Sequence, residues 1–180
     1  TDALLASRLA DCTGADFEAF QEMARVDMLK DEKLFMESFS CPSKTVLYQN
    51  IAMGLHDKEL EDVDHYVDLT MHFTQIADKM KTYADSENPF AWLFDFPAKL
   101  AVMCARKWNM GIRLKNAYDT GNRAHLSALA DELPILYKEV EAVRVAHRKQ
   151  WFHSCRPFGW DVMDIRYGGV LCQIETAEYR

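Results

Sequence analysis

The sequence predicts an all-α chain, an up-down bundle of antiparallel helices preceded by a shorter helical lead-in. Three observations carry this. Apolar residues recur in alternating three- and four-residue steps along three long stretches. No period-2 run bounded by turn residues occurs, which argues against a sheet. The breaks between stretches are short, so consecutive helices must run antiparallel. Residues 1–58 form the lead-in and 59–180 the bundle, the whole treated as one domain.

Ala15 to Leu29 carries Phe17, Phe20, Met23 and Ala24 on one stripe, with Thr13 and Asp16 as candidate caps, and reads as a short helix. Met36 to Lys44, "MESFSCPSK", has no period and reads as a loop in which Pro42 holds its neighbour extended. "TVLYQNIAMGLHD" runs apolar to Gly54, a candidate C-cap.

From Asp62, the spacing Val63, Tyr66, Val67, Thr70, Phe73, Ala77, Met80 and Tyr83 predicts one long helix, ended by "DSENP". Leu100, Met103, Cys104, Trp108, Gly111, Leu114 and Tyr118 form a second stripe, closed by the turn "DTGN". The third runs Leu126, Leu129, Leu133, Leu136, Val140, Val143, His147 and Trp151. Pro134 interrupts it, and a proline inside a helix removes a donor and crowds the preceding turn, so a kink or restart is expected near Leu133. After "SCRPFGW" a last helix is expected from Asp161 or Asp164.

The formal net charge of −7, with Lys and Arg spread along the chain, argues against nucleic acid, which needs a concentrated basic face. No apolar run approaches the roughly 18 residues that span a bilayer, so no membrane is expected. The five cysteines are odd in number and have no C-x-x-C spacing; reduced thiols in a cytoplasm are the simplest reading. Thr1 opens in what reads as mid-helix, and "LCQIETAEYR" stops in helical register without a cap, so the sequence reads as a piece of a longer protein.

No constellation reads as catalytic. Asp62 and His65 have the Glu-x-x-His type of spacing, but no second acidic cluster accompanies them, so neither a metal nor a cofactor is expected. Ser154-Cys155 next to His153 builds no triad by adjacency, and Cys155 reads as an apolar filler at a helix end. Asp31-Glu32 and Asp131-Glu132 follow no apolar strand and read as solvated helix surface.

"RPFGWDVMDIRYGGV", Arg156 to Val170, is the densest segment. Packing accounts for most of it: a Pro157-Gly159 turn, a capping Asp, Trp160 as a core anchor, and Arg166 paired with Asp161 or Asp164. The functional reading makes Trp160, Asp161 and Arg166 substrate-binding, because an aromatic plane stacks on a sugar while carboxylate and guanidinium groups grip its hydroxyls.

"ADCTGADFEAF" (Ala10 to Phe20), "CPSKTVLYQNIAMGLHD" (Cys41 to Asp57), "ARKWNMGIRLKNAYDTGN" (Ala105 to Asn122) and "RPFGWDVMDIRYGGV" occur in that order. Together they resemble the segments that follow the catalytic barrel in bacterial β-N-acetylhexosaminidases of glycoside hydrolase family twenty. The resemblance covers nearly the whole chain, with local departures at Asn50 and Ala52. It implies a C-terminal accessory region packed beside a TIM barrel of the same polypeptide, with carbohydrate as the parent enzyme's substrate and a homodimer as a further arrangement. The family removes terminal N-acetylhexosamine with the sugar's own 2-acetamido group as nucleophile, oriented by an Asp-Glu pair on the barrel. That pair is expected upstream of Thr1, so no catalytic residue is assigned and the chain alone is expected to be inactive. The rival reading is a free-standing helical interaction or ligand-binding module with Tyr48, Trp92, Trp108 and Trp160 as core or partner anchors.

Overall fold

The computed structural model describes residues 1–29 and 41–179, and among them every regular element is a helix. Four helices make the bundle: α5 (Leu69–Ala84), α6 (Asp95–Lys107), α8 (Arg123–Ser154) and α9 (Trp160–Tyr179). The pairings show their directions. Thr70 and Tyr83 of α5 meet Trp108 and Phe94 at opposite ends of α6. Arg106 and Phe96 of α6 meet Glu139 and His147 of α8. Arg144 and Trp151 of α8 meet Asp164 and Trp160 of α9. Numbers rise on one helix as they fall on the next, which is the up-down order expected of helices joined by short connections.

The apolar stripes close one core: Phe73, Ile76 and Met80 from α5, Leu100, Met103 and Cys104 from α6, Leu136, Val140 and Val143 from α8, and Tyr167, Val170 and Ile174 from α9. Ala19, Val46 and Leu47 from the lead-in join the same cluster. Burial raises the Cys104 thiol pKa, so it stays protonated and packs as a small apolar group.

The lead-in helices are short. α1 (Asp2–Thr13) ends at Gly14 in the left-handed region (φ 72°) and buries none of its residues. α2 (Phe17–Ala24) is shorter than the predicted Ala15–Leu29; Asp16 caps it, accepting from the amides of Glu18 (2.9 Å) and Ala19 (3.2 Å). Pro42 does not hold a loop. It opens α3 (Pro42–Tyr48) at the first turn, where a missing N–H costs no hydrogen bond, and Ser43 and Lys44 are helical with it; residues 36–40 of the predicted loop, and Asp31-Glu32, lie outside the described residues. Helix α3 ends before Gly54, which takes positive φ (57°) in a later turn and is not the helix cap the sequence suggested.

Two predicted helices are split. The stretch from Asp62 becomes α4 (Asp57–Asp64) and α5, because two carboxylates take amides that a continuous helix would use. Asp64 accepts from Leu69 N and Asp68 from Met71 N, both at 2.8 Å. Tyr66, assigned to the stripe, is exposed in the break. The second stripe divides at Trp108-Asn109 into α6 and α7 (Met110–Asp119), and Tyr118 is exposed. Pro134, by contrast, causes no restart: α8 is continuous through it, with the proline on the solvent side.

One buried cation fixes α3 against the bundle. Lys107, 3% exposed, donates to the carbonyl oxygens of Val46 (2.8 Å), Leu47 (2.7 Å) and Gln49 (2.7 Å). These are the acceptors a helix C-terminus leaves without intrahelical partners. Burial pulls the amine down to about 7. The three carbonyls act the other way: an ammonium has one proton for each, whereas a neutral amine would turn a lone pair on one of them. Behind it, Gly111 passes so close to the 49–57 turn that a Cβ would lie 2.8 Å from the Ile51 carbonyl oxygen.

Candidate functional site

A cleft of about 340 Å³ opens where α3, α6, α8 and α9 meet the end of α2, and a second lobe of about 350 Å³ continues it along α9. Lys44, Tyr48 and Arg166 line both lobes and form the waist between them. Lys107 sets this waist indirectly by holding the C-terminal turn of α3, from which Tyr48 projects.

The first lobe has an aromatic floor. The His147 ring stacks on Phe96 (centroids 4.4 Å apart, planes 18°), and its Nδ1 lies 3.0 Å from the Tyr167 hydroxyl oxygen. Burial lowers the His147 pKa and raises that of the Tyr167 phenol, so both stay neutral and share one hydrogen bond. At the opposite rim Asp27 accepts from the Ser43 hydroxyl (2.7 Å) and amide (3.1 Å). Gln150 lines the same lobe, and its Oε1 is buried without a donor among the described residues.

At the waist the Arg166 guanidinium carbon sits 5.8 Å from the Tyr48 ring centroid, a cation–π contact. Burial raises the Tyr48 phenol pKa, opposed by Arg166. The expected pairing of Arg166 with Asp161 or Asp164 is not found: Arg144 takes Asp164 at 3.4 Å. Arg144 stands on α8 opposite Asp164, whereas the α9 turn carries Arg166 round to α3.

The three residues singled out in the sequence are dispersed. Trp160 is 5% exposed and sits in an aromatic cluster with His147, Trp151, Phe152 and Tyr167. Asp161 is exposed in the first turn of α9, and Arg166 is at the cleft. The helix begins at Trp160, ahead of the expected start at Asp161 or Asp164. Cys155 is exposed at the end of α8 and fills no core. Tyr48 was legible only as an anchor and His147 only as a stripe residue, and Tyr167 was not singled out; no spacing places Lys44 beside Arg166, because their meeting depends on how α3 docks.

The outer face of α9 runs into the second lobe, which Ile165 and Gly169 line, and is itself unusual. Its inner stripe is Trp160, Tyr167, Val170 and Ile174, all buried. Phe158 just before the helix (93% exposed), Val162 (48%) and Ile165 (75%) are apolar and open to solvent. A Cβ added at Gly168 or Gly169 would meet nothing within 4 Å, so the bare Gly-Gly patch is not used for packing among the described residues. Among them, too, no helix is long and apolar enough to cross a membrane.

A search of curated proteins finds no match to this chain. A model of the Glycoside Hydrolase 20C C-terminal domain matches residues 16–180, all of the chain beyond α1 and the Gly14 joint. The chain therefore belongs to the Glycoside Hydrolase 20C C-terminal domain family, an all-helical part of a hexosaminidase-like glycoside hydrolase that associates with the catalytic domain of the same polypeptide.

Proposed function

We propose that this domain stabilises the catalytic barrel of a bacterial, cytoplasmic β-N-acetylhexosaminidase by packing the outer face of α9 against it, and that the cleft borders the sugar site. The observation that carries the docking reading is the two-sided helix. A surface helix of a globular protein needs one apolar stripe, yet α9 buries one and exposes a second in Phe158, Val162 and Ile165. A contiguous exposed apolar surface beside a bare Gly-Gly patch is what a partner covers. The five free thiols support the cytoplasmic reading. Residues 1–58 serve as the lead-in between barrel and bundle, and a homodimer would place this same face against a second copy.

The test is amide exchange on the full-length enzyme and on the isolated 180-residue chain. Slower exchange over residues 158–169 in the full-length enzyme is expected. Identical exchange in the two would remove the docking reading, and slowing that depends on enzyme concentration would assign the face to a dimer instead.

A further inference from the structure

We propose that the two-lobed cleft binds a small anionic sugar, a hexose ring carrying a carboxylate or a sulfate, with the charged group at the waist. The choice of a sugar over other anions rests on the hexosaminidase reading; the position of the charge rests on the cleft alone.

Each lobe is near the lower end of the roughly 300–1,000 Å³ of small-molecule sites, room for about one ring. The waist carries two cations. Lys44 has no ion pair among the described residues, and Arg166 is held over Tyr48 and pairs with no carboxylate there. A guanidinium held at an aromatic ring, with one N–H on the Tyr48 hydroxyl, is oriented there while its remaining N–H groups can grip carboxylate or sulfate.

The other groups fix which way round the ligand lies. Asp27 lines the first lobe and would repel an anion placed deep inside it, yet it can accept from a ring hydroxyl. Gln150 Oε1, buried and lacking a donor, can take an N–H or O–H from the same ring. Phe96 and His147, both half-buried, offer an aromatic floor to its apolar face, with the fully buried Tyr167 behind them. The ring therefore enters the first lobe and its charge remains between Lys44 and Arg166.

The experiment is calorimetric titration of the 180-residue chain, whose core closes on itself, with four probes: N-acetylmuramic acid, N-acetylglucosamine 6-sulfate, neutral N-acetylglucosamine, and inorganic sulfate. Saturable binding of either charged sugar is expected, the two arms telling carboxylate from sulfate, with the neutral sugar and the bare ion each at least about tenfold weaker. Arg166→Gln and Lys44→Gln should each weaken the charged sugar about tenfold or more, as loss of a charged hydrogen bond implies. Lys58→Gln, outside the cleft, should leave binding unchanged. Equal affinity for charged and neutral sugar, no saturation by either charged sugar, or unchanged binding in the Arg166 and Lys44 variants would overturn the proposal. Exchange over residues 158–162, which line neither lobe, reads docking separately, so the failure of one reading leaves the other measurable.

Discussion

Lys107 Nζ on α6 lies 2.7 Å from the carbonyl oxygen of Leu47 on α3, inside the bundle, and it is a buried polar tie between α3 and the core. Replacing it with Met would leave three acceptors at the end of α3 without their donor. We expect Lys107→Met to cost roughly 3 kcal/mol. Lys107→Arg should not rescue it, since a planar fork cannot direct three N–H groups onto three converging carbonyls. Urea unfolding of the isolated chain reads both; a Met variant within about 0.5 kcal/mol of wild type would refute the role.

Glycines 111 and 169 should respond in opposite directions to the same substitution. A Cβ at Gly111 would press on the Ile51 carbonyl at 2.8 Å, so Gly111→Ala should destabilise the chain by about 1–3 kcal/mol. At Gly169 nothing lies within 4 Å, and alanine is the better helix former, so Gly169→Ala should stabilise the isolated chain by up to ~1 kcal/mol. Thermal melts of both variants check this.

The buried His147 predicts a specific pH response. Its folded pKa lies below the ordinary value, so the unfolded chain takes up the proton first. The stability contributed by the neutral ring is complete above about pH 6.5 and is lost as pH falls from there toward the depressed folded value. The carboxylates of Glu22, Glu132 and Glu141, held low in the folded state, lose their contribution only below their ordinary value of 4.5. Asp57 and Glu139, raised by burial, act in the opposite sense, so the melting temperature of wild type should decline relative to that of His147→Gln between about pH 6.5 and 5.

The purified 180-residue chain is expected to show no turnover of an aryl N-acetylglucosaminide, because the acid-and-orienting carboxylate pair is expected on the barrel. A chromogenic assay over a wide enzyme concentration range tests it. Reproducible turnover that scales with enzyme would refute the accessory reading.

The helices that carry the core were readable because burial is periodic. Leu129, Leu133, Leu136, Val140 and Val143 are buried as their spacing required. The break at Val67 was not readable, because apolar phase continues through it while the deciding event is local, two aspartates capturing amides. Trp160 was legible as a core anchor from its size and neighbours. The cleft was hidden for a different reason: Lys44, Tyr48 and Arg166 belong to separate stretches and meet only through the docking of α3, which turns on Lys107. Nothing in "ARKWN" shows that its lysine is buried.

α1 stands apart from all of this. It contributes no buried residue, and its end is tied by little more than a 3.1 Å bond from the Asn88 amide to the Gly14 carbonyl oxygen. A protease cutting near the Gly14 joint would release α1 without opening the core, leaving a trimmed bundle with an almost unchanged melting point.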